Sequence, residues 1–72
     1  MTHRAETSNR VRELRTAGGL TQAELAEQAG ISRTAVTAIE GERLLPSVAA
    51  ALSLAEALGT TVEVLFGQGD KA

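Results

Sequence analysis

Two helix-start signals and a stop between them are crowded into residues 20–41, and that punctuation leaves room only for two short helices at a tight turn. Thr21 and Glu24 have the spacing of a capping box, in which a hydroxyl and a carboxylate each satisfy a backbone N–H left unpaired by the first helical turn. Leu20 and Leu25 flank it as a hydrophobic staple. Gly30 stops that helix, because glycine takes the positive φ of a tight turn at no steric cost. Only Ile31 then precedes Ser32, a second cap, and Ile31 with Val36 forms a second staple. The inward faces are Leu25, Ala26 and Ala29 on the first helix and Val36 and Ile39 on the second. An alanine at 26 lets the two helices approach closely.

The flanking segments carry similar punctuation. From about Thr7–Asn9 to Ala17 the pattern is helical, with Val11, Leu14 and Ala17 at three-residue spacing on one face, and Gly18-Gly19 ends it. The helix that opens at Ser32 runs to Glu40 or Gly41. Residues 41–46, Gly-Glu-Arg-Leu-Leu-Pro, form a loop closed by proline. Ser47 caps a fourth helix over 48–58, with Val48, Ala51, Leu52, Ala55 and Leu58 as its apolar stripe, and Gly59 ends it. Thr60 or Thr61 caps a last short helix over 62–66. Tyrosine and tryptophan are missing, and no alternating β-branched run reads as a strand. The expected fold is all-α, a compact five-helix bundle over residues 8–67 with flexible tails at 1–7 and 68–72.

Composition narrows the chemistry. Leu, Val, Ile and Phe supply only 17 larger side chains, a core that locks short helices together but leaves little room for a deep substrate cavity. Without cysteine there is no disulfide, thiolate nucleophile or zinc–cysteine cluster, and the single histidine, His3, excludes a multi-histidine metal site. Each capping hydroxyl already has a structural role, and Gly67-Gln68-Gly69 has no following helix with which to cradle a phosphate. No enzyme, metal or cofactor is expected. No apolar run approaches the ~18 residues of a membrane span, and the N-terminus lacks an apolar signal core, so a soluble cytoplasmic protein is expected. The net charge of −2 argues mildly against indiscriminate nucleic-acid binding. The positive charge is uneven, however: Arg10, Arg12 and Arg15 crowd one segment, and six arginines lie within residues 1–43.

Two capped helices around a turn of about three residues centred on Gly30 are the sequence form of a helix-turn-helix. Leu20-Thr21-Gln22-Ala23-Glu24-Leu25-Ala26, Gly30-Ile31-Ser32-Arg33, and Val36 with Ile39-Glu40 resemble the lambda-repressor-like DNA-binding domain of the XRE family. Pro46-Ser47 and Ala55-Glu56-Ala57-Leu58-Gly59 extend the resemblance across about residues 8–67. It implies a double-stranded DNA partner, a recognition helix of about 32–40 in the major groove, and usually a homodimer on a two-fold related operator.

With Val36 and Ile39 facing the core, the opposite side of that helix presents Ser32, Arg33, Thr34, Thr37 and Ala38. Arg33 alone can give two parallel hydrogen bonds to guanine O6 and N7; read as a solvated first-turn arginine, it contacts no base. Thr34 and Thr37 suit a thymine methyl or a hydrogen-bonding base edge. Ala38 stands where the family often has a longer base-reading side chain, so fewer bases are read directly. The resemblance implies that Gln22 holds a phosphate at the start of its helix, where the helix end favours an anion. Ser32 and Arg43 join it as phosphate contacts, with Arg12 and Arg10 as lesser candidates. Thr21 reads as a cap or as a phosphate contact. Arg15 and Glu40 match a family ion pair tying the first helix to the third, costly to break at one end if it is buried and worth little if it is exposed.

Two features depart from the family pattern. The loop after the recognition helix, often basic in the family, here holds Glu42, which repels phosphate, and the uncharged Leu44-Leu45 pair; and the chain is acidic overall, at −2. Modest monomer affinity is expected in consequence, with specific binding from two copies whose recognition helices sit about 34 Å apart. Val64, Phe66, Leu44 and the outer side of the fourth helix offer an apolar patch for such a dimer. Phe66 reads equally as core. The rival class is a protein-interaction module of antitoxin type. A further alternative is the N-terminal reader of a larger regulator controlled by a protein or small molecule.

Overall fold

The computed structural model describes residues 9–67, through which run five helices: α1 (Val11–Ala17), α2 (Gln22–Ala29), α3 (Arg33–Glu40), α4 (Val48–Leu58) and α5 (Val62–Phe66). No strand occurs among the described residues. The proposed tails at 1–7 and 68–72, with His3 and Gln68-Gly69, lie outside them.

Four of the helices open on a hydroxyl. Oγ1 of Thr21 accepts from the Glu24 N–H at 3.0 Å while Glu24 Oε1 accepts from the Thr21 N–H at 2.9 Å, which completes the capping box. Ser32, Ser47 and Thr61 accept in the same way from Ala35, Ala50 and Val64. Of the two threonines offered for α5, Thr61 is the cap. Helix α1 differs: it starts at Val11, whose N–H donates to Asn9 Oδ1 at 3.0 Å. The same Asn9 amide donates to the Ile39 carbonyl at 2.9 Å, and the Arg10 N–H donates to the Leu65 carbonyl at 3.0 Å. Thus one short segment pins the start of α1 to the ends of α3 and α5.

Gly30 closes α2 at φ 73°, and the Ile31 N–H donates back to the Ala26 carbonyl at 3.0 Å. A side chain at that φ is strained, so the tight α2–α3 turn depends on glycine. At the end of α1 it is Gly19, not Gly18, that has positive φ.

Val11, Leu25, Val36, Ile39, Leu54 and Leu65 are the large side chains withdrawn completely from water, so every helix contributes at least one. Ala26, Ala29 and Ala55 fill the narrow spaces between them, and Leu20 and Ile31 pack against the same cluster from their staple positions. Helix α2 packs against both α3 and α4, which makes it the spine of the bundle. Leu25→Ala is expected to cost about 2–5 kcal/mol, read from the midpoint of urea unfolding, because the deleted methyls leave a void among neighbours from other helices. A loss below about 1 kcal/mol would mean that those neighbours collapse into the gap.

Two expected faces need correction. Ala17 is exposed; in the last turn of α1 it is Leu14 that packs against the core. On α4, Val48 is 78% and Leu52 55% exposed, whereas Leu54 is fully buried. The buried stripe is Ala51, Leu54 and Ala55 with half-buried Leu58, the i, i+3, i+4, i+7 set. A stripe drawn through 48 and 52 lies one row over, on the solvent side.

Candidate nucleic-acid interface

The turn at Gly30 sets α3 across α2 with Val36 and Ile39 buried to 0% and 1% exposure. The opposite side of α3 is open: Ser32, Arg33, Thr34 and Thr37 are exposed and Ala38 is half-buried. Arg33, Thr34, Thr37 and Ala38 line one shallow concavity together with Arg43. Arg43 reaches this face because the chain turns sharply after Gly41. Glu42 sits at φ 64°, its N–H donates to the Ile39 carbonyl at 3.0 Å, and the Arg43 N–H donates to the Ala38 carbonyl at 2.9 Å. The Arg43 guanidinium then lies against Gly41, where a Cβ would collide with it. All four expected base-reading residues and one expected phosphate contact therefore share a single surface.

Behind that surface lies a buried carboxylate. The Glu40 side chain is 0% exposed, and Arg15 approaches it with two nitrogens, Nε to Oε2 at 2.6 Å and Nη2 to Oε1 at 3.2 Å. A third nitrogen of Arg15, Nη1, donates to the Leu20 carbonyl at 2.8 Å. The pair joins α1 to the end of α3 and is the buried version of the two readings left open by sequence. Arg12 comes to the same carboxylate from outside, at 3.5 Å with its own side chain 66% exposed. Arg10 is turned away, paired with Glu13 at 3.0 Å on the solvent side of α1.

Gln22 is engaged twice. Its Nε2 donates to Glu40 Oε1 at 3.1 Å, and its Oε1 accepts from the Thr37 hydroxyl at 2.9 Å. Its amide group thus bridges the buried carboxylate to the exposed face of α3. Sequence reasoning assigned Gln22 to phosphate and did not see this bridge, nor the role of Asn9, nor Arg12 beside Glu40. One signal was available: Thr37 and Glu40 are three residues apart on a helix, so a side chain that meets one is within reach of the other.

Burial pushes the Glu40 carboxyl up, but the hydrogen bonds from Arg15 and Gln22 and the Arg15 charge pull it down further, to below the usual carboxylate range. The unfolded chain releases that constraint and returns the group to about 4.3. A folded value below the unfolded one gives stability that is complete above the unfolded value and is lost as pH falls through the folded one. Unfolding free energy is therefore expected to drop between about pH 6 and pH 3 by more in the wild-type protein than in Glu40→Gln, which has no charge to lose. Parallel declines would remove Glu40 from the acid response.

A second feature lies along α4 and α5. Leu45, Pro46, Val48, Leu52, Val62 and Phe66 line an apolar groove along α4 and α5. Phe66 packs against the core, one of the two readings offered for it, and also lines the groove. Leu44 and Val64 are exposed as well, at 46% and 37%. Among the described residues no group of three or more His, Asp or Glu is placed to hold a metal, and no helix is long and apolar enough to cross a membrane.

Known proteins resemble this chain over most of its length. A helix-turn-helix family profile matches residues 11–65, from the start of α1 to within α5. The chain is 47% identical over 49 residues to an uncharacterized HTH-type transcriptional regulator of Methanothermobacter thermautotrophicus, covering 68% of this chain and 71% of that protein. It is 38% identical over 58 residues to the uncharacterized HTH-type regulator YgzD of Bacillus subtilis, covering 81% and 88%. Among solved structures, the restriction-modification controller protein C.AhdI of Aeromonas hydrophila superposes with a TM-score of 0.72 at 41% identity, over 75% of this chain and 82% of that one. The hypothetical transcription factor NHTF of Neisseria does so at 0.76 and 34% identity, over 86% and 71%. Matched from α1 to α5, this chain belongs to the helix-turn-helix family of DNA-binding transcriptional regulators, in its lambda-repressor-like, XRE-type branch.

Proposed function

We propose that the protein is a sequence-specific double-stranded DNA-binding transcription regulator that lays α3 in the major groove and acts as a homodimer on a two-fold related operator. The observation that carries this reading is the open polar face of α3, held rigidly from behind by Val36, Ile39 and the Glu40 cluster. Arg33, Thr34, Thr37 and Ala38 read base edges; Arg43, Gln22, Ser32, Thr21 and Arg12 meet phosphates. The first turn of α2 offers its N–H groups to an anion, with those of Thr21 and Glu24 already taken by the capping box. The apolar groove along α4 and α5 serves the dimer: three of its large side chains, Leu45, Val48 and Leu52, are more than half exposed, a patch that association would withdraw from water. A relative that carries the name of a restriction-modification controller supports a regulatory role.

Selection of bound duplexes from a random pool at about 50 mM salt tests the proposal. A motif with two half-sites about 34 Å apart is expected, with affinity falling steeply between about 50 and 200 mM salt. No enrichment at low salt would overturn it in favour of a protein-interaction module. On the selected duplex, Arg43→Ala is expected to weaken all sequences alike and to reduce the slope of log affinity against log salt by about one. A loss confined to one base position would make Arg43 a base reader instead.

A further inference from the structure

We infer that the buried Glu40 carboxylate fixes what Thr37 can read, turning its hydroxyl through Gln22 into a hydrogen-bond acceptor for the amino group of adenine or cytosine. The inference rests on the DNA-binding reading above and specifies one contact within it.

The hydrogen-bonding capacity of each group sets the direction of this chain of contacts. An ionised carboxylate only accepts, so the Gln22 atom facing Glu40 Oε1 at 3.1 Å must be the amide nitrogen. That choice turns the other end of the amide, its carbonyl oxygen, toward Thr37. A carbonyl also only accepts, so the Thr37 hydroxyl must spend its single hydrogen on Gln22 Oε1, at 2.9 Å. What remains for a partner on the exposed side is the lone pairs of Oγ1. A free threonine hydroxyl can rotate to suit a donor or an acceptor; this one is set. In the major groove, adenine N6 and cytosine N4 carry donors, whereas guanine N7 and O6 and thymine O4 only accept. Facing Thr37, an amino group finds a partner, and a bare acceptor meets lone pair against lone pair. Thr37 is exposed, its hydrogen bond to Gln22 is exposed too, and it lines the concavity shared with Arg33 on the surface offered to the groove. Gln22 is a positioning residue in this scheme, and Glu40 sets its direction.

The test uses the duplex recovered by selection, with each adenine replaced in turn by purine and each cytosine by its analogue lacking the 4-amino group. At one position per half-site, removing the amino group is expected to cost the wild-type protein about 2- to 12-fold in affinity, the worth of one hydrogen bond. Thr37→Val should lose that sensitivity, and Thr37→Ser, which keeps the hydroxyl, should retain it. Gln22→Leu frees the hydroxyl to rotate and should accept a guanine or thymine at that position within about twofold of the original base. A phosphate-only role for Gln22 would lower affinity without changing base preference. The inference is overturned, with the DNA-binding reading intact, if an operator is selected but no amino deletion is felt through Thr37. The same holds if Thr37 proves to read a thymine methyl or a bare acceptor. Failure to select any duplex would overturn both.

Discussion

Replacing Arg15 with alanine is expected to destabilise the protein by about 3–5 kcal/mol, the largest loss from removing any single charged side chain. The cause is the environment left behind more than the bond removed. Glu40 would stay at 0% exposure with Gln22 and the distant Arg12 as its partners, and the Leu20 carbonyl would lose the Arg15 hydrogen bond that ties the α1–α2 turn. A domain of this length has a total stability of about 5–15 kcal/mol, so the variant should lie close to unfolding near room temperature. The thermal midpoint should fall by roughly 12 °C or more, at about 4 °C or more per kcal/mol. The double variant Arg15→Ala with Glu40→Ala should lose less than the sum of the single losses, because it leaves no charge stranded. A loss under about 1 kcal/mol would put the pair in the class of surface ion pairs and remove it from the account of how α3 is held.

The second large effect is on recognition. Arg33→Ala should abolish discrimination at one base position per half-site, worth about 1–3 kcal/mol or roughly 5- to 150-fold, and leave preference elsewhere unchanged. Arg33 is exposed on the first turn of α3, away from the core, so its removal should leave stability within about 0.5 kcal/mol. That separates a lost contact from a damaged fold. An equal loss on every sequence would make Arg33 a phosphate contact, and unchanged binding would make it a solvated side chain.

The legible part of this fold is the part that neighbours in sequence decide. Caps are local: a hydroxyl and the N–H three residues on are bound to meet once a helix begins, so Thr21, Ser32 and Ser47 could be read with no knowledge of the fold. The recognition face followed from them, since burying Val36 and Ile39 leaves Thr34, Thr37 and Ala38 no other direction. Long-range partners are not local in this sense. Asn9 looks like an ordinary helix start, and only the packing of α1 against α3 brings its amide to the Ile39 carbonyl. Gln22 has a single side chain for three candidate partners, and which it meets depends on where α3 crosses α2. The apolar stripe of α4 was misplaced for a different reason: leucine, valine and alanine occupy so many of positions 48–58 that several stripes fit, and the one that Leu54 belongs to is chosen by the neighbours.

The most direct measurement is a titration of the isotopically labelled protein with its selected duplex, following backbone amides by NMR. The largest shifts are expected at Arg33, Thr34, Thr37, Ala38 and Arg43, with smaller ones at the first turn of α2. Shifts confined to α4 and α5, with the α3 face unperturbed at saturation, would contradict the claim that this helix meets DNA.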